Sequence, residues 1–210
     1  MKMLAVYTDN FRPLFNNFKK SLGDCSDIEL VECPITFSKK YEKFGFLSDS
    51  WYEALEIKIF NVIQFIKNET KEGEHFIISD VDVHFFQPDK IIDLVRYDKD
   101  IIGIKEKGYI NGGFIIAKHN SAIIDMYEYV YKQIKSKKVG LSDQDQINKY
   151  LVENKMNWGF IDETSTLIGS FVQTIPIPTK SSVVYHATWT KTVEEKVTRI
   201  NDVVEVYEKL

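Results

Sequence analysis

Two spacings of apolar residues alternate along the chain, one of period two and one of helical period. Met3 to Tyr7 is a short apolar strand, closed by Thr8-Asp9-Asn10, all turn and helix-capping residue types. Leu14, Phe15, Phe18 and Leu22 then recur at helical spacing, and Gly23 supplies a stop. Ile28 to Cys33 alternates as a second strand ended by Pro34. Thr36 to Ser50 has no period and is expected to be a loop that covers a site. Trp51 to Lys67 carries Leu55, Ile59, Val62, Ile63 and Ile66 on one stripe, which predicts a strong helix. Pro88 to Tyr97 reads as a short helix, Ile101 to Ile104 as a strand and Phe114 to Ala117 as another. Ala122 to Ile134 shows a core-facing helical stripe, and Ser142-Asp143 opens a further helix. Val183 to His186 is a strand ending on a histidine, and Thr192 to Leu210 closes the chain as a helix.

Between the second and third helices lies Phe76-Ile77-Ile78-Ser79-Asp80-Val81-Asp82-Val83-His84-Phe85-Phe86. The apolar lead-in predicts a strand buried on both faces, as in parallel sheets. On an extended chain Asp80 and Asp82 share one face, with His84 on the same side. Two carboxylates held that close are unfavourable without a cation or a shared proton. Oxygen ligands on a strand rim suit Mg²⁺ or Mn²⁺, ions that also bind phosphates.

Strands alternating with helices predict an α/β fold, a mostly parallel sheet with helices on both faces, forming one compact domain over residues 1–210. Ligands of such sheets bind beyond the carboxyl ends of the strands. Every unusual polar cluster follows a strand: Thr8-Asp9-Asn10, Asp80/Asp82, Asn111-Gly112-Gly113 and His186. Unrelated surface features would have no reason to share one edge.

Composition narrows the classes. With 210 residues, 44% hydrophobic and 13% aromatic, the chain is long and apolar enough for a full core. A net charge of −4 without any Lys/Arg block disfavours nucleic acid as a partner, so an anionic ligand needs a metal or a few placed lysines. Cys25 and Cys33 are too few for a disulfide scaffold and wrongly spaced for zinc, which implies a reducing compartment. No stretch reads as a signal peptide or membrane span, so a cytoplasmic location is expected.

Asp80, Asp82 and His186 together supply oxygen, oxygen and nitrogen to one ion. His84 is the alternative nitrogen, but rigidity favours ligands from more than one segment. Taken singly, each cluster has a plain explanation: a solvated acidic turn, a surface histidine, a tight Gly turn, a helix cap at Asp143, and a solvated lysine at Lys191. Their common order makes the joint reading the stronger one.

That order resembles the GT-A fold glycosyltransferases, closest to their glycogenin-like and nucleotide-diphospho-sugar transferase branches. Asp80-Val81-Asp82, Asn111-Gly112-Gly113, Asp143-Gln144-Asp145-Gln146-Ile147-Asn148 and the late His186/Lys191 pair carry the likeness across nearly the whole chain. The resemblance implies a UDP-sugar donor and Mn²⁺ or Mg²⁺ held by Asp80, Asp82 and His186. It further implies base contacts from Thr8, Asp9 and Asn10, and donor contacts from Lys58, Asp80, Asn111, Gly112 and Lys191. Asp143 and Gln144 would flank the reacting sugar, Asp143 as base if the anomeric centre inverts and Gln144 facing the anomeric carbon if it is retained. The ending departs from the family's His-x-x-Gly-x-x-Lys pattern, lacking the Gly and running one residue shorter. Small size and motif order are also similar to compact GT-A domains in glycosylation proteins of large algal viruses, which makes UDP-rhamnose and UDP-glucose the first donors to test. The acceptor is expected to be a hydroxyl of a glycan or glycoprotein. Two alternatives stay open: a sugar nucleotidyltransferase, disfavoured because Tyr7-Thr8-Asp9-Asn10-Phe11-Arg12 has no glycine, and an inactive sugar-nucleotide binding module.

Overall fold

Successive residues of the central strands feed two separate cores. In the first strand, β1 (Lys2–Thr8), Met3, Ala5 and Tyr7 enter one core while Leu4 and Val6 enter the other. The same division holds in β3 (His75–Ser79), where Ile77 opposes Phe76 and Ile78. Burial on both faces is what the unbroken apolar runs predict. The structure is a computed structural model describing residues 1–38, 48–136, 142–169, 176–188, 190 and 192–210.

The other elements are α1 (Arg12–Leu22), β2 (Glu29–Ile35), α2 (Asp49–Glu69), β4 (Val83–Phe85), β5 (Ile101–Glu106), β6 (Tyr109–Lys118), α3 (Ser121–Lys135), α4 (Asp143–Glu153), β7 (Trp158–Phe160), β8 (Thr166–Ile168), β9 (Val184–His186) and α5 (Val193–Glu208). The main sheet has six strands in the order β2-β1-β3-β6-β5-β7. All run in one direction except β6, which is antiparallel to both neighbours. Helices α2, α3 and α4 cover one face; α1, α5 and a smaller sheet, β4-β9-β8, cover the other. This is the α/β arrangement the alternation predicts, a mostly parallel sheet between helical layers.

Several boundaries differ from expectation. Pro34 lies inside β2 rather than ending it, which an edge strand tolerates because one side of its ladder is free. Residues 88–97 form two 3-10 turns, Pro88–Lys90 and Ile92–Leu94, instead of a helix. Buried Ile91 and Leu94 stand three apart, the repeat of a 3-10 turn rather than an α-helix. The acidic stretch is not one strand: the chain turns at Val81–Asp82 and enters the second sheet as β4. Of the loop expected at 36–50, positions 39–47 fall outside the described residues, and α2 begins at Asp49 behind the Ser48 cap. Among the described residues no helix is long and apolar enough to cross a membrane.

Candidate active site

The two sheets meet at Asp80-Val81-Asp82. Asp80 continues the main sheet, its N–H donating to the Gly113 carbonyl of β6 at 2.7 Å. Asp82 continues the small sheet, its carbonyl accepting from the Ala187 N–H at 2.9 Å beyond β9. Val81 between them is buried and pins the turn into the core. Each carboxylate is thus fixed by a different sheet, and both stand at the carboxyl edge of the parallel strands, where ligands of such folds bind.

Pairing of β4 with β9 sets the histidine. Val83 lies opposite His186 and His84 opposite Tyr185, so the two histidines face opposite sides of the small sheet. His84, expected on the face of the two acids, is therefore excluded by the turn. Burial lowers its pKa to about 4. His186 is buried, with Nε2 3.1 Å from Asp82 Oδ1 and Nδ1 2.8 Å from Asn111 Oδ1.

The hydrogen bonds around Asn111 decide which nitrogen carries the proton. Its Oδ1 accepts from the Gly113 N–H at 2.8 Å, and its Nδ2 donates to Glu106 Oε2 at 2.8 Å, which fixes the amide orientation. Nδ1 of His186 must then donate to Oδ1, which leaves Nε2 as the nitrogen turned to Asp82. Gly113 makes room for the ring, since a Cβ there would sit 2.0 Å from His186 Cε1. The plain reading of Asn111-Gly112-Gly113 as a tight turn is not what the structure has. Instead the segment lies within β6, and its second glycine faces the imidazole. It reaches the same sheet edge because β6 runs antiparallel.

Helix α4 closes the site from the other side. Ser142 and Asp145 form a reciprocal capping box, so capping does not occupy Asp143. Asn148 grips β6, accepting from the Ile110 N–H and donating to the Ile110 carbonyl, both at 2.8 Å. That clamp places Gln144 against β6, where its Oε1 accepts from the Gly112 N–H at 2.9 Å and its Nε2 donates to Glu106 at 3.0 Å. Lys58 of α2 spans the acids, with Nζ 2.7 Å from Asp80 Oδ1 and 3.0 Å from Asp143 Oδ2. Burial alone would lower its pKa, but the Asp143 and Asp80 carboxylates outweigh that and raise it well above the ordinary 10.5. Asp143 Oδ1 also accepts from the Gln144 N–H, so both its oxygens are engaged.

Of the residues read from the sequence, Lys58, Asp80, Asp82, Asn111, Gly112, Asp143, Gln144 and His186 are joined in this cluster, through Glu106 and the β6 backbone. Thr8, Asp9 and Asn10 follow β1 at the same edge, since the β1–β3 register ends at Ala5 and Ser79. Asp9 there pairs with Arg12 at 2.7 Å. Lys191 lies outside the described residues. Two buried or half-buried participants had not been anticipated. Glu106 ends β5, and extending the strand past Ile104 would have put it on the same edge. Lys196, on α5, ion-pairs with Asp82 Oδ2 and donates to the Ala187 carbonyl at 2.9 Å; its helical spacing gives no hint of this. Burial would raise the Asp82 carboxyl, but Lys196 and His186 override that and hold it far below the ordinary 3.8.

The donor set fits a divalent cation. One ligand atom each from Asp80, Asp82 and His186 lie within 4.8 Å of one another. Asn111 engages Nδ1, so Nε2 of His186, 3.1 Å from Asp82 Oδ1, is the nitrogen placed to join the two carboxylates as a ligand.

Solved structures of the same fold include a glycosyltransferase involved in glycosylation of the major capsid of PBCV-1. It shows 12% identity and a TM-score of 0.69, with 97% of this chain and 100% of that one covered. An active-site mutant of LgtC matches at 11% identity and a TM-score of 0.57, covering 96% of each chain. The apo glycosyltransferase GlyE of Streptococcus pneumoniae TIGR4 matches at 9% identity and a TM-score of 0.59, over 100% of this chain and 64% of that one. The fold is that of GT-A glycosyltransferases. No curated protein sequence matches the chain. A family model, nucleotide-diphospho-sugar transferase, matches residues 29–200, and the chain belongs to that family.

Proposed function

We propose that residues 1–210 form one catalytic domain that moves a sugar from a UDP-sugar to a hydroxyl of a glycan or glycoprotein, with Mn²⁺ or Mg²⁺ required. UDP-glucose and UDP-rhamnose are the first donors to test. The observation carrying this reading is the convergence of Asp80, Asp82 and His186 from two sheets onto one point at the ligand-binding edge. These three residues would hold the ion, which supplies positive charge to the departing diphosphate. Asn111 keeps the His186 proton on Nδ1, and Glu106 orients both Asn111 and Gln144. Lys58 holds Asp80 and Asp143 in register. Thr8, Asp9 and Asn10 take the base; Asn111, Gly112 and Lys191 contact the donor. Lys58 holds Oδ2 of Asp143 and the Gln144 N–H holds its Oδ1, so we place Gln144 beside the reacting carbon and assign Asp143 to positioning Lys58.

The test is UDP release from a panel of UDP-sugars with Mn²⁺, in the wild type and in Asp82→Asn. Turnover lost in EDTA and in a folded Asp82→Asn variant supports the reading. Turnover surviving both would remove the metal role, and tight donor binding with no turnover for any acceptor would leave a binding module.

A further inference from the structure

We infer that Lys196 is a built-in counter-cation that occupies Asp82 in the free protein and must leave when a divalent ion binds. The inference rests on the metal reading above and concerns how the protein admits the ion. Asp80, Asp82 and Asp143 line the site, and two lysines already pair with them. The lysines are not equivalent. Lys58 is shared between Asp80 and Asp143, so it keeps an anion outside the ion's ligand set when Asp80 is drawn away. Among the described residues, Asp82 is the one carboxylate paired with Lys196, and it is itself a ligand.

Both oxygens of Asp82 are therefore in use, Oδ1 facing His186 and Oδ2 holding the ammonium. The pair is well shielded, with side-chain exposure of 14% for Lys196 and 9% for Asp82, so little solvent screens it. An ammonium left against Asp82 would repel an arriving divalent ion at close range. Leaving is feasible: the ammonium is on a flexible four-carbon stem, and its second contact is a neutral carbonyl, that of Ala187. The ion's affinity for the free protein is thereby held down. A nucleotide diphosphate arriving with the ion offers the displaced ammonium a new anion, so donor and ion are taken up together.

The test reads Mn²⁺ itself, by loss of the free-ion electron paramagnetic resonance signal, with and without UDP. Lys196→Met is expected to bind Mn²⁺ alone about tenfold or more tightly than wild type, as displacing a close buried charge pair requires, and its enhancement by UDP is expected to shrink. A second measurement uses the wild type only: reductive methylation of Lys196, followed by mass spectrometry, should be slow in the free protein and accelerate when Mn²⁺ is added without nucleotide. Unchanged or weaker Mn²⁺ binding in a folded Lys196→Met variant overturns the inference. So does Lys196 reactivity that saturating Mn²⁺ leaves unaltered, and this arm decides alone if the variant fails to fold. Absence of Mn²⁺ binding to either protein, even with UDP, would instead overturn the metal reading, which separates the two failures.

Discussion

Replacing Lys58 with methionine tests how the acidic site is held together. The stem keeps its length, but the ammonium 2.7 Å from Asp80 and 3.0 Å from Asp143 disappears. Those two arms allow the carboxylate oxygens to be at most 5.7 Å apart. At an effective dielectric of 20, two unit charges at that separation repel by about 3 kcal/mol. Asp143 is 11% exposed but Asp80 is 35% exposed, so solvent offsets part of this. The expected loss is about 2–3 kcal/mol, at or below the low end for breaking a buried ion pair, or roughly 4–12 °C in Tm for a domain of this size. Adding Asp143→Asn should restore about 1 kcal/mol or more, because one of the opposed charges is gone. The pH dependence has a definite sign. A lysine whose folded pKa lies above its ordinary 10.5 contributes fully below 10.5 and loses that contribution only as pH rises through the folded value. Urea denaturation at pH 7 and pH 10 should therefore give the same gap between wild type and Lys58→Met. A variant within about 1 kcal/mol of wild type, or further destabilisation on adding Asp143→Asn, would refute the reasoning.

Three further outcomes follow from the packing around the imidazole. Gly113→Ala must push His186 out of place, because its Cβ would lie 2.0 Å from the ring; the expected cost is about 1–3 kcal/mol in denaturant unfolding together with loss of Mn²⁺ binding. Gly112→Ala meets Gln144 Cβ at 3.4 Å, an ordinary contact, and should leave stability close to wild type. Glu106→Ala frees the amides of Asn111 and Gln144 and should weaken Mn²⁺ binding about 10–100-fold by calorimetry, although Glu106 is not among the three ligands. Equal Mn²⁺ affinity in Glu106→Ala and wild type would show that the His186 proton is fixed by something other than this chain of bonds.

Much of the sheet was legible because both-face burial leaves unbroken apolar runs, as in Phe76-Ile77-Ile78. The site was legible through strand-end logic: Asp80, Asp82 and His186 each follow an apolar strand, and the fold gathers such ends on one edge. What stayed hidden depended on tertiary pairing. Period-two alternation put His84 beside the acids, yet buried Val81 turns the chain and sends β4 into another sheet. Asn111 to Gly113 read as a turn because glycine is rare inside strands. Only the ring of His186, arriving 73 residues after Gly113 in sequence, explains why a side chain is excluded there. Lys196 sits on an amphipathic helix where a lysine is ordinarily solvated, and its pairing with Asp82 appears only once α5 is docked. The short strands β7 and β8 each have three residues, too few to show a period.

The most direct test of the central claim is anomalous scattering at the manganese edge from crystals grown with Mn²⁺ and UDP. The predicted result is one peak bonded to Asp80, Asp82 and His186 Nε2. A map without a peak there, or with manganese bound to the carboxylates but not to His186 Nε2, would contradict it.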